Sequence, residues 1–151
     1  MDLFKKIKIK FLLFFRDIFV YHNSSLEFRA KLLAAMIGAN KSIDECEEKI
    51  LERIAKEIYK NDPARVDLLI DTTKEYVYKI IRDNKLELNE LIVHIDNTLK
   101  DEPRFYDKIN IARLSRFYEC SQNDEQNHII QTRILEFLHN EIENFKKNKK
   151  I

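Results

Sequence analysis

One glycine and two prolines are all that this chain carries among its 151 residues. That scarcity constrains the fold more than any other feature. Sheet-rich folds use glycine and proline in many tight turns, so a chain nearly without them is expected to consist of long helices and short connections. Hydrophobic spacing points the same way, with apolar residues recurring at three- and four-residue intervals along most of the sequence. The expected fold class is all-α, with about seven helices and no strands.

The helices are read from periodicity and end signals. The first, about residues 3–21, places Phe4, Ile7, Phe11, Phe14, Phe15 and Ile18 on one stripe. A Ser24-x-x-Glu27 capping box opens a second helix reaching about Ala39, and Ser42-x-x-Glu45 opens a third with Ile43, Cys46, Ile50, Ile54 and Ile58 on its apolar face. Asp62-Pro63 reads as an N-cap followed by proline at the first helical position. The fourth helix then carries Val66, Leu69, Ile70, Thr73, Val77, Ile80 and Ile81 to about Asp83. A fifth covers roughly 88–100 with Asn89 as cap. A sixth opens at Glu102-Pro103 and carries Phe105, Ile109, Ala112, Leu114 and Phe117. The seventh runs from about Asp124 to Phe145 through Ile130, Ile134, Leu135, Leu138 and Ile142. The organisation is an amphipathic basic helix over 1–22, a helical domain over 23–145 and a basic tail over 146–151.

Hydrophobic residues make up 44% and charged residues 35%, which is too apolar for disorder and too charged for a membrane-integral protein. A net charge of +1 supplies no global field for nucleic acid, and no nucleic-acid partner is expected. Charge is local instead: Lys5, Lys6, Lys8, Lys10 and Arg16 make the first helix basic, and Lys146, Lys147, Lys149 and Lys150 the tail. The run from Phe11 to Phe15 is interrupted at Arg16-Asp17 without a small-residue cleavage site, so a signal peptide is not expected. It also falls far short of the roughly 20 apolar residues of a spanning helix. Cys46 and Cys120 lie far apart without CxxC spacing, so the expectation is two free, buried thiols in a reducing cytoplasm.

Two stretches echo each other. Asn40 to Ile50 and Cys120 to Ile130 have the same spacing, and each joins a helix, a short polar loop and a helix with an acidic start. That pattern resembles the tellurite-resistance TerB-like family over about residues 26–142. The family carries in each half an Ala-Asp-Gly turn and a Glu seven residues after the Asp. Here Asn40 stands in the Asp place, Lys41 in the Gly place, and Glu47 matches the Glu. In the second half Cys120, Ser121 and Asn127 take those three places. The resemblance implies two pseudo-repeated helix–loop–helix units and a cytoplasmic stress-linked or membrane-adjacent role through protein contacts. It also implies, for some members, divalent metal at the acidic loops.

The candidates for such an ion are Asp44, Glu47, Asp124 and Glu125, since hard cations gather several oxygen ligands at one point. Acidic residues in a helix's first turn also cap free N–H groups and complement the dipole, and that is the expected role here, with no tight metal and no cofactor. His22, His94, His128 and His139 are scattered, and neither a Gly-x-Ser-x-Gly elbow nor a glycine-rich phosphate loop exists, so no enzyme is expected. The contact candidates are Phe4, Lys5, Lys6, Ile7, Lys10, Phe11, Phe14 and Phe15. Their wide aromatic stripe, flanked by lysines, suits the domain core, a second subunit or protein partner, or an anionic membrane surface. The functional expectation is a non-catalytic binding module in the cytoplasm, peripheral at the inner membrane face. The alternative is a divalent-metal sensor using the acidic helix starts.

Overall fold

The computed structural model describes residues 24–39, 43–81 and 87–149, and among them every regular element is helical. The all-α expectation holds. The α-helices are α1 (Ser24–Gly38), α2 (Glu45–Ile58), α3 (Pro63–Ile81), α4 (Leu88–Asp101), α5 (Ile111–Leu114) and α6 (Glu125–Lys149), with short 3-10 helices at Pro103–Lys108 and Ser115–Ser121. The helix expected over 3–21 lies outside the described residues, and so does the Asn40 loop.

Helix α1 is the axis of the molecule. From Leu26 to Ala39 nearly every second or third residue is apolar and fully buried, including Phe28, Leu32, Leu33, Met36 and Ile37. A helix apolar nearly all round belongs inside a protein. Helices α3, α4, α5 and α6 and the first 3-10 helix all pack against it. Ala30, Ala34 and Ala35 are wholly buried and let neighbours approach its backbone. At Gly38 the approach is tight: a Cβ there would lie 2.9 Å from Ile80 Cδ1 of α3.

The other helices turn one stripe inward. Helix α2 buries Glu47, Ile50, Leu51, Ile54 and Ala55, and α4 buries Leu91, Ile95 and Leu99. The Phe28 and Phe105 rings meet at 5.4 Å, tying the first 3-10 helix to the axis. On α3, Val66, Leu69, Thr73 and Val77 are buried as expected, while Ile70 and Ile80 are half-buried. Asp62 caps α3, its Oδ1 accepting from the Arg65 amide at 3.2 Å. The preceding Asn61 turns the chain at φ 63°, a left-handed value that asparagine tolerates. Far from that turn, Tyr106 stacks on Phe145 at 4.2 Å and donates to Glu141, which holds the outer half of α6 against the first 3-10 helix. Desolvation first, and then the Glu141 charge, raise the Tyr106 pKa above the ordinary phenol value.

Several sequence expectations are corrected. Helix α2 starts at Glu45 with Asp44 as its cap, two residues beyond Ser42. Helix α4 starts one residue before Asn89, with Glu87 as N-cap, because Leu88 packs on the core as the first helical residue. The single helix expected after Pro103 is three short ones. Ile109 is extended, and Asn110 restarts the chain by accepting from the Arg113 amide at 3.0 Å. Helix α6 continues past Phe145 to Lys149, where its lysines face the negative end of the helix dipole. Its buried stripe also differs: Ile130 is exposed, and Asn127 and Gln131 point inward instead.

Candidate functional site

The helix starts singled out by the internal echo define the candidate site. Both follow one local rule. An Asp sits just before the helix with its carboxylate free to accept, and three residues later an amide N–H has no partner within the helix. At α2, Asp44 Oδ1 accepts from the Glu47 amide at 2.8 Å, and Glu47 Oε1 accepts from the Asp44 amide at 3.3 Å. That is a complete capping box, and Glu47 is fully buried in it. At α6, Asp124 Oδ1 accepts from the Asn127 amide at 3.1 Å, and Asn127 is buried to 3% exposure. So Asp44 and Asp124 correspond, as do Glu47 and Asn127.

The start of α2 meets the end of the second 3-10 helix, and there Cys46 and Cys120 are joined as a disulfide. The two free thiols expected from the sequence are therefore corrected. Their Cα atoms lie 5.7 Å apart across 74 residues of chain, a pairing that sequence spacing alone does not reveal. Asp44 stands beside the pair. One ligand atom each of Asp44, Cys46 and Cys120 falls within 4.8 Å of the other two, and all three residues are half-buried. Among the described residues, that trio is the cluster of metal-ligating types close enough to share an ion. It takes in one of the four expected acidic candidates, Asp44. Glu47, Asp124 and Glu125 do not join it; Glu47 and Asp124 are engaged in the caps, and Glu125 is exposed.

Behind the disulfide runs a buried polar relay. The Ser121 hydroxyl donates to Gln131 Oε1 at 2.7 Å, and Gln131 Nε2 donates to the Met36 carbonyl at 3.1 Å. Ser121 and Gln131 are essentially inaccessible to solvent, and the contact closes the end of α1 against α6. His128 Nδ1 lies 3.5 Å from the same hydroxyl, and its ring leans on Tyr118 with centroids 4.7 Å apart. A serine and a histidine at that distance invite a nucleophilic reading. Burial of Ser121, and the direction of its proton toward Gln131, make the pair a packing feature instead.

This relay was missed in the sequence, although a signal was there. Gln131 stands on the same helical face as Ile134, Leu135 and Leu138, a polar residue on an apolar stripe. A second unanticipated link lies at the far end of α2. Glu57 receives Arg116 at 2.8 Å and Arg113 at 3.4 Å. The hydrogen bond from Arg116 holds the Glu57 carboxyl below its usual range. The pair is solvent-accessible and contributes little stability.

The expected contact residues Phe4, Lys5, Lys6, Ile7, Lys10, Phe11, Phe14 and Phe15 lie outside the described residues. No helix among the described residues is long and apolar enough to cross a membrane. No family model, no curated protein and no solved structure matches the chain.

Proposed function

We propose that this chain is a non-catalytic helical binding module of TerB-like type, stress-linked, acting through protein–protein or membrane-surface contacts. The observation that carries the reading is the use made of the acidic helix starts. Asp44, Glu47 and Asp124 are engaged with backbone amides, so the groups a hard cation needs hold helix ends in place. The polar residues drawn into the interior, Ser121 and Gln131, join helices. The aromatic, lysine-rich stripe of residues 4–15 is the most unusual pattern in the sequence, and its composition suits a contact.

The cytoplasmic face of the membrane is part of the same proposal, and in a reducing compartment Cys46 and Cys120 would stand as thiols. Two measurements test the reading. Co-sedimentation of the full chain with anionic vesicles is expected to be salt-sensitive and to fall when Lys5, Lys6 and Lys10 are changed to Glu. Binding to neutral vesicles alone, or no binding, removes the membrane from the proposal. Calorimetric titration with calcium or magnesium is expected to give no saturable heat. Micromolar binding lost in Glu47→Gln favours the divalent-metal sensor instead.

A further inference from the structure

We infer that Asp44, Cys46 and Cys120 form a redox-gated site for a zinc-class divalent ion: closed as a disulfide when oxidised, and a two-thiolate, one-carboxylate ligand set when reduced. The inference stands independently of the binding-module reading, because it rests on the geometry of the disulfide and its neighbour.

The first ground is composition of the cluster. Thiolates select zinc-class ions over calcium or magnesium, and a carboxylate completes a charge suited to a divalent rather than a monovalent metal. All three ligand atoms lie within 4.8 Å of one another before any rearrangement. In a tetrahedral site with metal–sulfur bonds of about 2.3 Å, two sulfurs sit about 3.8 Å apart. Cα atoms 5.7 Å apart allow that spread by side-chain rotation. The trio is half-buried, so an ion in solution can reach it.

The second ground is that each half of the cluster is anchored without help from the disulfide. Cys46 is the second residue of α2, whose start is fixed by the Asp44–Glu47 capping box and whose next turns bury Ile50, Leu51 and Ile54. A Lys74–Glu48 pair at 3.2 Å adds a tie to α3. Cys120 precedes Ser121, which is held through Gln131 to the Met36 carbonyl, and follows the fully buried Phe117. Reduction therefore leaves two thiols facing each other beside Asp44 instead of releasing them. Asp44 Oδ1 is occupied by the Glu47 amide, and Oδ2 is the oxygen that would serve the metal.

The chemistry balances in two steps. A low-molecular-weight dithiol passes two electrons and two protons to the Cys46–Cys120 bond, giving two thiols and its own cyclic disulfide. The metal then displaces one proton from each thiol and binds the Asp44 carboxylate. Exchange with a low-molecular-weight disulfide, which accepts the two electrons, takes up two protons from water and leaves as two thiols, re-forms the Cys46–Cys120 bond and expels the ion. The positive end of α2 offsets part of the negative charge that three anionic ligands gather.

The test uses the full chain, oxidised or reduced by a phosphine, titrated with cobalt(II) as a coloured stand-in for zinc. Reduced chain is expected to bind one equivalent with a thiolate-to-metal charge-transfer band, and to compete for zinc with a chromophoric chelator. Oxidised chain is expected to show neither, and it serves as a folded control carrying no substitution. Asp44→Asn keeps an N-capping side chain while removing the anionic ligand. It should retain the charge-transfer band but weaken zinc affinity by at least about tenfold, the scale on which even indirect partners act. Cys46→Ser should abolish the band. Equal binding by oxidised and reduced chain overturns the proposal, as does reduced chain without a charge-transfer band. Unchanged zinc affinity in folded Asp44→Asn, checked by circular dichroism, overturns the three-residue site.

Discussion

The starts of α2 and α6 are built to one plan and docked in two ways. Each has an Asp cap, eighty residues apart in sequence, and a buried polar side chain three residues on. Beyond that first turn they diverge. The next inward residue of α2 is Ile50, followed by Leu51, and its start is bolted sideways by Cys46 to Cys120. The inward residue of α6 at the place of Leu51 is Gln131, which reaches the Met36 carbonyl and Ser121. Local capping thus fixes where a helix begins, but not what holds it to its neighbours. One start is secured by apolar burial and a covalent bond, the other by hydrogen bonds whose loss strands buried polar groups.

The largest predicted effect breaks the covalent side of the comparison. Opening a disulfide across 74 residues frees the unfolded chain by about 4.5 kcal/mol on the chain-entropy model. Urea denaturation with metal chelated, with and without reductant, should show a loss of that order. A loss under about 1 kcal/mol would mean that the α2 start is held almost wholly by its core residues, and that the bond adds little.

Next comes the contrast between Leu51 and Gln131. Leu51→Ala removes a fully buried side chain and should cost about 3 kcal/mol, within the usual range for such cavities. Gln131→Ala removes the donor to the Met36 carbonyl and leaves the Ser121 hydroxyl only the Tyr118 carbonyl at 3.3 Å, at about 2 kcal/mol. Gln131→Leu restores volume but not the hydrogen bonds. If it matches the parent in stability, the relay contributes only packing, and the distinction between the two starts collapses.

A smaller difference is expected at the caps. Asp44→Ala removes the acceptor for the Glu47 amide and exposes the fault in a reciprocal pair, whereas Asp124→Ala removes one hydrogen bond. Each should cost on the order of 1 kcal/mol, with Asp44 the more costly. Equal losses would show that the return bond from Glu47 adds nothing measurable.

These sites also show what could be read in advance. Asp62-Pro63 and Asp124 announced their helices because a cap acts on amides three residues away, within reach of any local pattern. Ser42 misled because Asp44, two residues later, offers the same chemistry in register with Glu47. The continuous sixth helix was an error of a different kind. Phe105 and Ile109 are both buried, so their four-residue spacing fits a helix, yet Asn110 caps a new turn between them and Leu114. The Cys46–Cys120 bond was only half legible: both cysteines lie in or beside the echoing loops, but whether they meet depends on how α2 lies against an element seventy residues away. Gln131 was within reach, as a polar residue on an apolar stripe. Its partners were not, because one is a backbone carbonyl of α1.

The finest test asks whether the two starts are interchangeable. At α2 the third residue is Glu47, long enough for its carboxylate to reach back to the Asp44 amide. At α6 it is Asn127, one methylene shorter, and its Oδ1 is buried with no hydrogen-bond partner among the described residues. Asn127→Glu supplies the missing length and the acceptor, and would complete a capping box on Asp124. The gain is expected to be about 0.5 kcal/mol, because a return bond and a favourable charge at the helix start are each worth only tenths to one. Against it stands the burial of Asn127, where an added methylene and a charge must be accommodated. Glu47 shows that a fully buried glutamate is tolerated at the equivalent place when its first oxygen is capped. Chemical denaturation of Asn127→Glu beside the parent decides between the two. A small gain makes the starts equivalent modules that differ only in their docking. A loss above about 1 kcal/mol would mean that the packing around α6 has diverged down to its first turn, and that the shared cap is the whole of the likeness.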